Sequence, residues 1–315
     1  MSDKSKDKAG PRLVEITAGR AGQRIDNFLM AELKGVPKSR IYRLLRKGEV
    51  RVNKGRCRPH QRLEAGDVVR IPPLRVAVRQ ALDLPPKLVE RIGQSVLYED
   101  ADLLVLDKPS GVAVHAGSGL KFGVVELLRA ARPDIEKPEL VHRLDRETSG
   151  CLMLAKTRRG LLGVQEAMKQ GEVGKEYLAL VKGRWQGGER QVEAPLKKNV
   201  LQGGERMVVV DDAGKPATSI FRPVKTWNEA SLVRVEILTG RTHQIRVHAA
   251  HIGHPLAGDR KYGSDAFNKQ MREQGLRRLF LHAERLVLDH PVTGHVLRIE
   301  APLEESLKTV LDGLQ

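Results

Sequence analysis

Residues 139–150 read ELVHRLDRETSG, with one carboxylate, Asp145, between two arginines, Arg143 and Arg146, and a Thr-Ser-Gly turn starting three residues on. Positive neighbours favour the charged form of an acid. Asp145 therefore reads as an aspartate held ionised, fit to act as nucleophile or base and poorly fit to donate a proton. Acid–base pairs of carboxylates need a second acid. Glu147 is the nearest one, and in an extended stretch it points to the opposite side. The plain alternative is a surface salt bridge, which contributes little to stability.

Outward from this stretch, strand and helix patterns mix without strict βαβ alternation. DLLVLDKPSG (102–111) is a short apolar run ended by a Lys-Pro-Ser-Gly turn, and GVVELLRAA (123–131) has helical spacing. KEYLALVKG (175–183), SLVRVEILTG (231–240) and HVLRIEAP (295–302) read as strands. Together they predict an α+β domain over 93–315, built on a mixed, largely antiparallel sheet. GSGLKFG (117–123) has glycines at positions that miss both the dinucleotide and the P-loop spacings, so it reads as a substrate-facing loop. The histidines His243, His248, His251 and His254 suggest a metal. However, Ile245, Ala249 and Ile252 at helical spacing put them on more than one side, and no cysteine or acid completes a tetrahedral set. No metal and no cofactor are expected.

The front of the chain is organised differently. The 315 residues carry 55 basic and 39 acidic side chains, a net charge of +16, which favours a polyanionic partner. From Lys34 to Arg62 eleven residues are Lys or Arg and only Glu49 is acidic. Ile25, Phe28 and Leu29 predict one helix; Ile41, Leu44 and Leu45 predict a second, begun near Pro37 and Ser39 and stopped at Gly48. Arg40, Arg43 and Lys47 recur at three- and four-residue steps, hence on one face. EVRVN (49–53) alternates as a strand, an Asn-Lys-Gly turn follows, and LEAGDVVRIP (63–72) supplies a turn and a second strand. Lys38, Arg40, Arg43, Arg46, Lys47, Arg51 and Lys54 are the candidate RNA-binding residues of this module. With aromatics at 3% of the chain, phosphate and shape recognition is expected rather than base stacking. Residues 1–20 are expected to be a flexible basic tail, 21–75 the basic module, and 76–92, with its proline pairs, a linker. Cys57 and Cys151 lie far apart without metal-type spacing, which fits a reducing compartment. With no membrane span or secretory signal, the cytoplasm is expected.

The stretch from about residue 21 to 73 resembles the S4 RNA-binding domain. HRLDRETSG (142–150) resembles the signature of the RluA-type pseudouridine synthases, and KEYLALVKG, LDKPSGVAVHAG (106–117) and TGRTHQIRVHAAHIGHPLAGDRKYG (239–263) fit the same family. The resemblance implies a cofactor-free isomerase that detaches uracil from a uridine and rejoins it through C5. A uracil leaving group delocalises charge over its carbonyls, so one ionised carboxylate suffices. The resemblance makes Asp145 the catalytic carboxylate and lays Tyr177 against the uracil, where it can help remove the C5 proton. It pairs Arg241 with Asp145 and puts Arg143 in the gap left when the target base leaves the stack. The implied partner is RNA, with 23S rRNA of the large ribosomal subunit expected. A tRNA-modifying member of the family, a non-catalytic rRNA-binding assembly factor and an rRNA methyltransferase are the alternatives. A monomer is expected.

Overall fold

The structure is a computed structural model that describes residues 10–33, 35–73, 83–116, 121–200 and 206–314. The chain divides into two compact units, Met1–Leu82 and Asp83–Gln315.

In the first unit the helices Ile25–Glu32 and Lys38–Lys47 form as their spacing predicts. Ile25, Phe28 and Leu29 meet Ile41, Leu44 and Leu45 in one core. Gly48 ends the second helix in the left-handed region (φ 68°), its N–H reaching the carbonyls of Leu44 and Leu45. The two-residue turn Asn53–Lys54, both at positive φ, joins the short strands Arg51–Val52 and Gly55–Arg56. Four strands pair antiparallel in the order Arg12–Glu15, Val68–Ile71, Arg51–Val52, Gly55–Arg56.

The first of these strands corrects the expected tail. Residues 1–9 lie outside the described residues, but Arg12–Glu15 is a strand and Ile16 is buried in the core. Its pairing partner is more than fifty residues away, so local composition does not reveal it.

The second unit is built on a ten-stranded, largely antiparallel sheet. Its path runs Arg190–Glu193, Thr218–Thr226, Ala230–Ile237, Gly174–Lys182, Leu281–Asp289, Ser149–Ala155, Leu103–Lys108, Val96–Glu99. Val296–Glu300 and Glu139–Leu140 flank this path, and His282 pairs in parallel with Ser149. A separate ribbon pairs Leu196–Val200 with Arg206–Val210.

Ser149–Ala155 is apolar throughout because both its faces are covered. Leu152 and Leu154 join Leu104, Leu106, Leu127 and Leu128 on one side, while Cys151 and Met153 join Leu103, Val105, Leu161 and Val164 on the other. The strand Gly174–Lys182 divides likewise, with Tyr177, Ala179 and Val181 facing the first core and Leu178 and Leu180 another. Gly150 (φ +104°) lies opposite Ala283, where Ser149–Ala155 pairs in parallel with Leu281–Asp289. A Cβ there would stand 2.2 Å from the Ala283 carbonyl oxygen, so only glycine fits.

The expected linker needs correction as well. Residues 76–82 lie outside the described residues, but Pro86–Gln94 is a helix, begun by proline at its first turn. Ile92 is fully buried and Leu88 and Val89 pack against the same core. The apolar spacing within KLVERI outweighs the proline punctuation.

Candidate active site

Asp145 lies in the irregular stretch between Glu139–Leu140 and Ser149–Ala155. Leu144 is buried in the main core and pins one side. The Lys-Pro-Ser-Gly turn pins the other: the Gly111 N–H donates to the Arg146 carbonyl (2.8 Å), and the Ser110 hydroxyl to the Glu147 carbonyl (2.7 Å). Lys108, fully buried, donates through Nζ to the carbonyls of Pro109 (2.9 Å), Val112 (2.9 Å) and Arg146 (3.3 Å). Burial, helped by the charge of Arg278, pushes its pKa down to about 7, although Asp145 and Asp107 pull the other way. His142 is driven down to about 4, chiefly by burial, and its Nε2 accepts from the Met153 N–H.

The Asp145 side chain is one-fifth exposed and lines a cleft of ≈ 950 Å³. The cleft's walls include His115, Arg143, His243, Arg246, Arg260 and Lys261. Two side-chain nitrogens approach the same oxygen: His243 Nε2 stands 3.8 Å and Arg246 Nη1 3.9 Å from Asp145 Oδ2. Arg246 is itself clamped. Its Nε and Nη2 donate to the two oxygens of buried Asp259, both at 2.7 Å, and its guanidinium lies 5.0 Å from the Tyr262 ring centroid. Burial would raise the pKa of Asp259, but the Arg246 hydrogen bonds and charge, with the amides of Tyr262 and Lys261, hold it below the usual carboxylate range.

Arg241 does not take the expected place beside Asp145. It is exposed, and its Nε donates to the Pro216 carbonyl (3.0 Å). The reason is geometric. The helix begins at Gln244, so Arg241 belongs to the preceding turn, where its N–H is capped by Gln244 Oε1. His243 at the N-cap and Arg246, one turn on, face the same side. The helical periodicity of THQIR carries the signal: His243 and Arg246 stand three residues apart, while Arg241 precedes the helix.

Tyr177 does share a smaller cavity of ≈ 90 Å³ with Asp145, Arg143 and Arg241. It is buried, and burial together with the Asp145 charge raises its pKa above the phenol range. Arg143 is exposed and lines both cavities. In the first unit Lys38, Arg43, Arg46, Lys47, Arg51 and Lys54 are exposed and Arg40 is half-buried. Among the described residues none of them pairs with a carboxylate. The four histidines do not converge. His248 bridges Ser219 and the Ala194 carbonyl inside the core, His254 meets the Lys182 carbonyl, and His251 is exposed. Of GSGLKFG, residues 117–120 lie outside the described residues.

A family model described as RNA pseudouridylate synthase matches residues 102–251, and one described as S4 domain matches 23–69. The chain is 55% identical over 308 residues to ribosomal large subunit pseudouridine synthase C of Escherichia coli K12, covering 96% of this chain and 97% of that protein. It is 54% identical to the same-named protein of Yersinia pestis, with 96% of each chain covered. Among solved structures, human RNA pseudouridylate synthase domain containing 1 matches with a TM-score of 0.56 at 27% identity, over 66% of this chain and 83% of that one. The human protein of the same title numbered 4 matches with a TM-score of 0.60 at 23% identity, over 73% and 97%, a likeness of fold.

Proposed function

The chain belongs to the RNA pseudouridylate synthase family, and from that premise we propose that it isomerises specific uridines of 23S rRNA in the large ribosomal subunit, with Asp145 as the catalytic carboxylate. The observation that carries the assignment is the seating of Asp145 in the large cleft, with His243 and Arg246 both addressing Oδ2. The Arg246 charge at Oδ2 offsets the repulsion between a carboxylate and RNA phosphates. In the reaction the C1′–N1 bond breaks, the uracil turns, C1′–C5 forms, a proton leaves C5 and one is taken up at N1. Atoms and electrons are conserved, so the chemistry itself calls for no redox or energy-carrying partner.

Arg246 takes the orienting role expected of Arg241, being a bidentately held guanidinium that cannot swing away from Oδ2. Tyr177 serves as the wall for the uracil ring. With its pKa raised it remains a phenol, and so does not take the C5 proton. Arg143, exposed at the mouth of the cleft, is placed to occupy the gap left by an extruded base. A further cavity of ≈ 210 Å³, lined by Arg272, Arg277 and Arg278 and sharing Arg260 with the cleft, extends the positive surface available to a phosphate backbone. The exposed basic side chains of the S4 domain supply docking to RNA phosphates. Among the described residues no helix is long and apolar enough to cross a membrane; action in the cytoplasm, as a monomer, completes the proposal.

The test is pseudouridine mapping of 23S rRNA and tRNA from cells carrying the wild-type chain or Asp145→Asn. The expected result is loss of particular 23S pseudouridines with the variant, while its rRNA affinity is kept. Unchanged 23S sites, or loss confined to tRNA, would overturn the reading.

A further inference from the structure

His243 is a strained residue in an uncommon place. It is not glycine, yet its φ is +54°, and it occupies the N-cap of the Gln244–His251 helix without making a side-chain cap. Non-glycine residues in the left-handed region carry a cost and persist where their surroundings over-determine them. Here the surroundings are a chain of polar contacts. The Val208 N–H, on the ribbon Leu196–Val200/Arg206–Val210, donates to the Tyr262 hydroxyl oxygen at 3.0 Å. That hydroxyl lies 2.8 Å from His243 Nδ1. The other ring nitrogen, Nε2, faces Asp145 Oδ2 at 3.8 Å.

The Tyr262 hydroxyl oxygen accepts from the Val208 N–H, and its hydrogen directed to His243 Nδ1 makes that nitrogen an acceptor and puts the ring proton on Nε2, facing the carboxylate. The opposite tautomer, donating from Nδ1 to the same oxygen, would aim the Nε2 lone pair at an anion, which disfavours it.

We propose that Tyr262 and His243 form a tautomer lock, in which Tyr262 fixes the His243 proton on Nε2 so that His243 and Arg246 together anchor Oδ2 and fix the direction of the Asp145 carboxylate. His243 and Tyr262 are positioning residues in this account, acting through Asp145, and the inference rests on the proposed role of that carboxylate. The contact of 3.8 Å is longer than a hydrogen bond and closes when the substrate seats, as catalytic contacts commonly do. Burial favours the neutral ring, which the lock requires, although Asp145 pulls the other way. The ribbon's small core of Leu196, Val208, Ala217 and Val247, with Tyr262 packed on it, keeps the hydroxyl in place.

Two measurements test the lock. The first is 15N NMR of the histidine rings in the unmodified protein, with His243 assigned by its loss in His243→Gln. A neutral ring protonated on Nε2 is expected; protonation on Nδ1 would overturn the proposal. The second is a kinetic cycle with 23S rRNA fragments carrying tritium at uridine C5. His243→Ala should lower kcat by about ten- to a hundredfold, the range for one hydrogen bond to a charged group, with KM little changed. His243→Gln, whose amide restores an N–H donor, should recover part of that loss. Tyr262→Phe should cost about tenfold in the wild-type background and less than about twofold beside His243→Gln, because residues acting as one unit are non-additive. An equal cost of Tyr262→Phe in both backgrounds would mean that Tyr262 only supports the ribbon, and the lock would fall. Failure of the Asp145→Asn test would instead remove the premise, leaving the NMR tautomer unaffected.

Discussion

Replacing Lys108 by Met tests whether a buried cation holds the catalytic stretch in place. The change keeps the length and the apolar stem and removes the ammonium. The buried carbonyls of Pro109 and Val112 then lose this donor, and that of Arg146 keeps only the Gly111 N–H. An unpaired buried acceptor costs about 1–3 kcal/mol, and the variant escapes part of the penalty of burying a charge, so a net loss of about 2–3 kcal/mol is expected near pH 7. The pH dependence is more diagnostic. The folded pKa of Lys108 is about 7 against 10.5 for the free side chain. Between those values the unfolded chain binds the extra proton, so the wild type gains stability as pH rises from 7 towards 10.5, at up to about 1.4 kcal/mol per pH unit. Below pH 7 both states are protonated and this contribution is flat. The gap between wild type and Lys108→Met should therefore widen by about 2 kcal/mol from pH 7.5 to 9.

Urea unfolding followed by tryptophan fluorescence reads the right part of the molecule, since both tryptophans, Trp185 and Trp227, lie in the second unit. Turnover should fall with stability, because Nζ holds the carbonyl of the residue after Asp145. A variant with wild-type turnover and a gap that stays constant or narrows with pH would refute the reasoning.

Two arginines distinguish the expected orienting residue, Arg241, from the proposed one, Arg246. Arg246→Lys should cut kcat at least tenfold while sparing rRNA affinity, whereas Arg241→Lys should act mainly on KM; steady-state kinetics on one rRNA fragment decides between them. Arg246→Ala should also destabilise the second unit by about 3–5 kcal/mol, because buried Asp259 loses its partner, and thermal unfolding reads this directly. Reversing Arg43 and Lys47 to Glu should weaken rRNA binding and reduce the slope of log affinity against log salt by about 0.7–0.9 per lost phosphate contact. An unchanged slope in filter binding would remove the S4 domain from the docking surface.

What could be read from the chain before folding was whatever depends on near neighbours. The spacing of Ile25, Phe28 and Leu29 and of Ile41, Leu44 and Leu45 imposes two helices with a common apolar face, and Gly48 ends the second because it alone tolerates φ near 68° there. Charge density marks the front module, and the motif around Asp145 marks the site, because both are properties of contiguous residues. Contacts between distant segments were not legible in this way. Arg12–Glu15 becomes a strand only through Val68–Ile71, and Pro86–Gln94 becomes part of a core only through Leu127 and Leu128. Within the site, Asp145, Arg143, Tyr177 and Arg241 line one cavity, but the guanidinium near the Asp145 carboxylate is that of Arg246. The choice turns on where a helix starts and on Asp259, thirteen residues further along, which fixes the direction of one guanidinium. Side-chain direction depends on partners brought together by the fold, so which guanidinium approaches Asp145 is a tertiary fact.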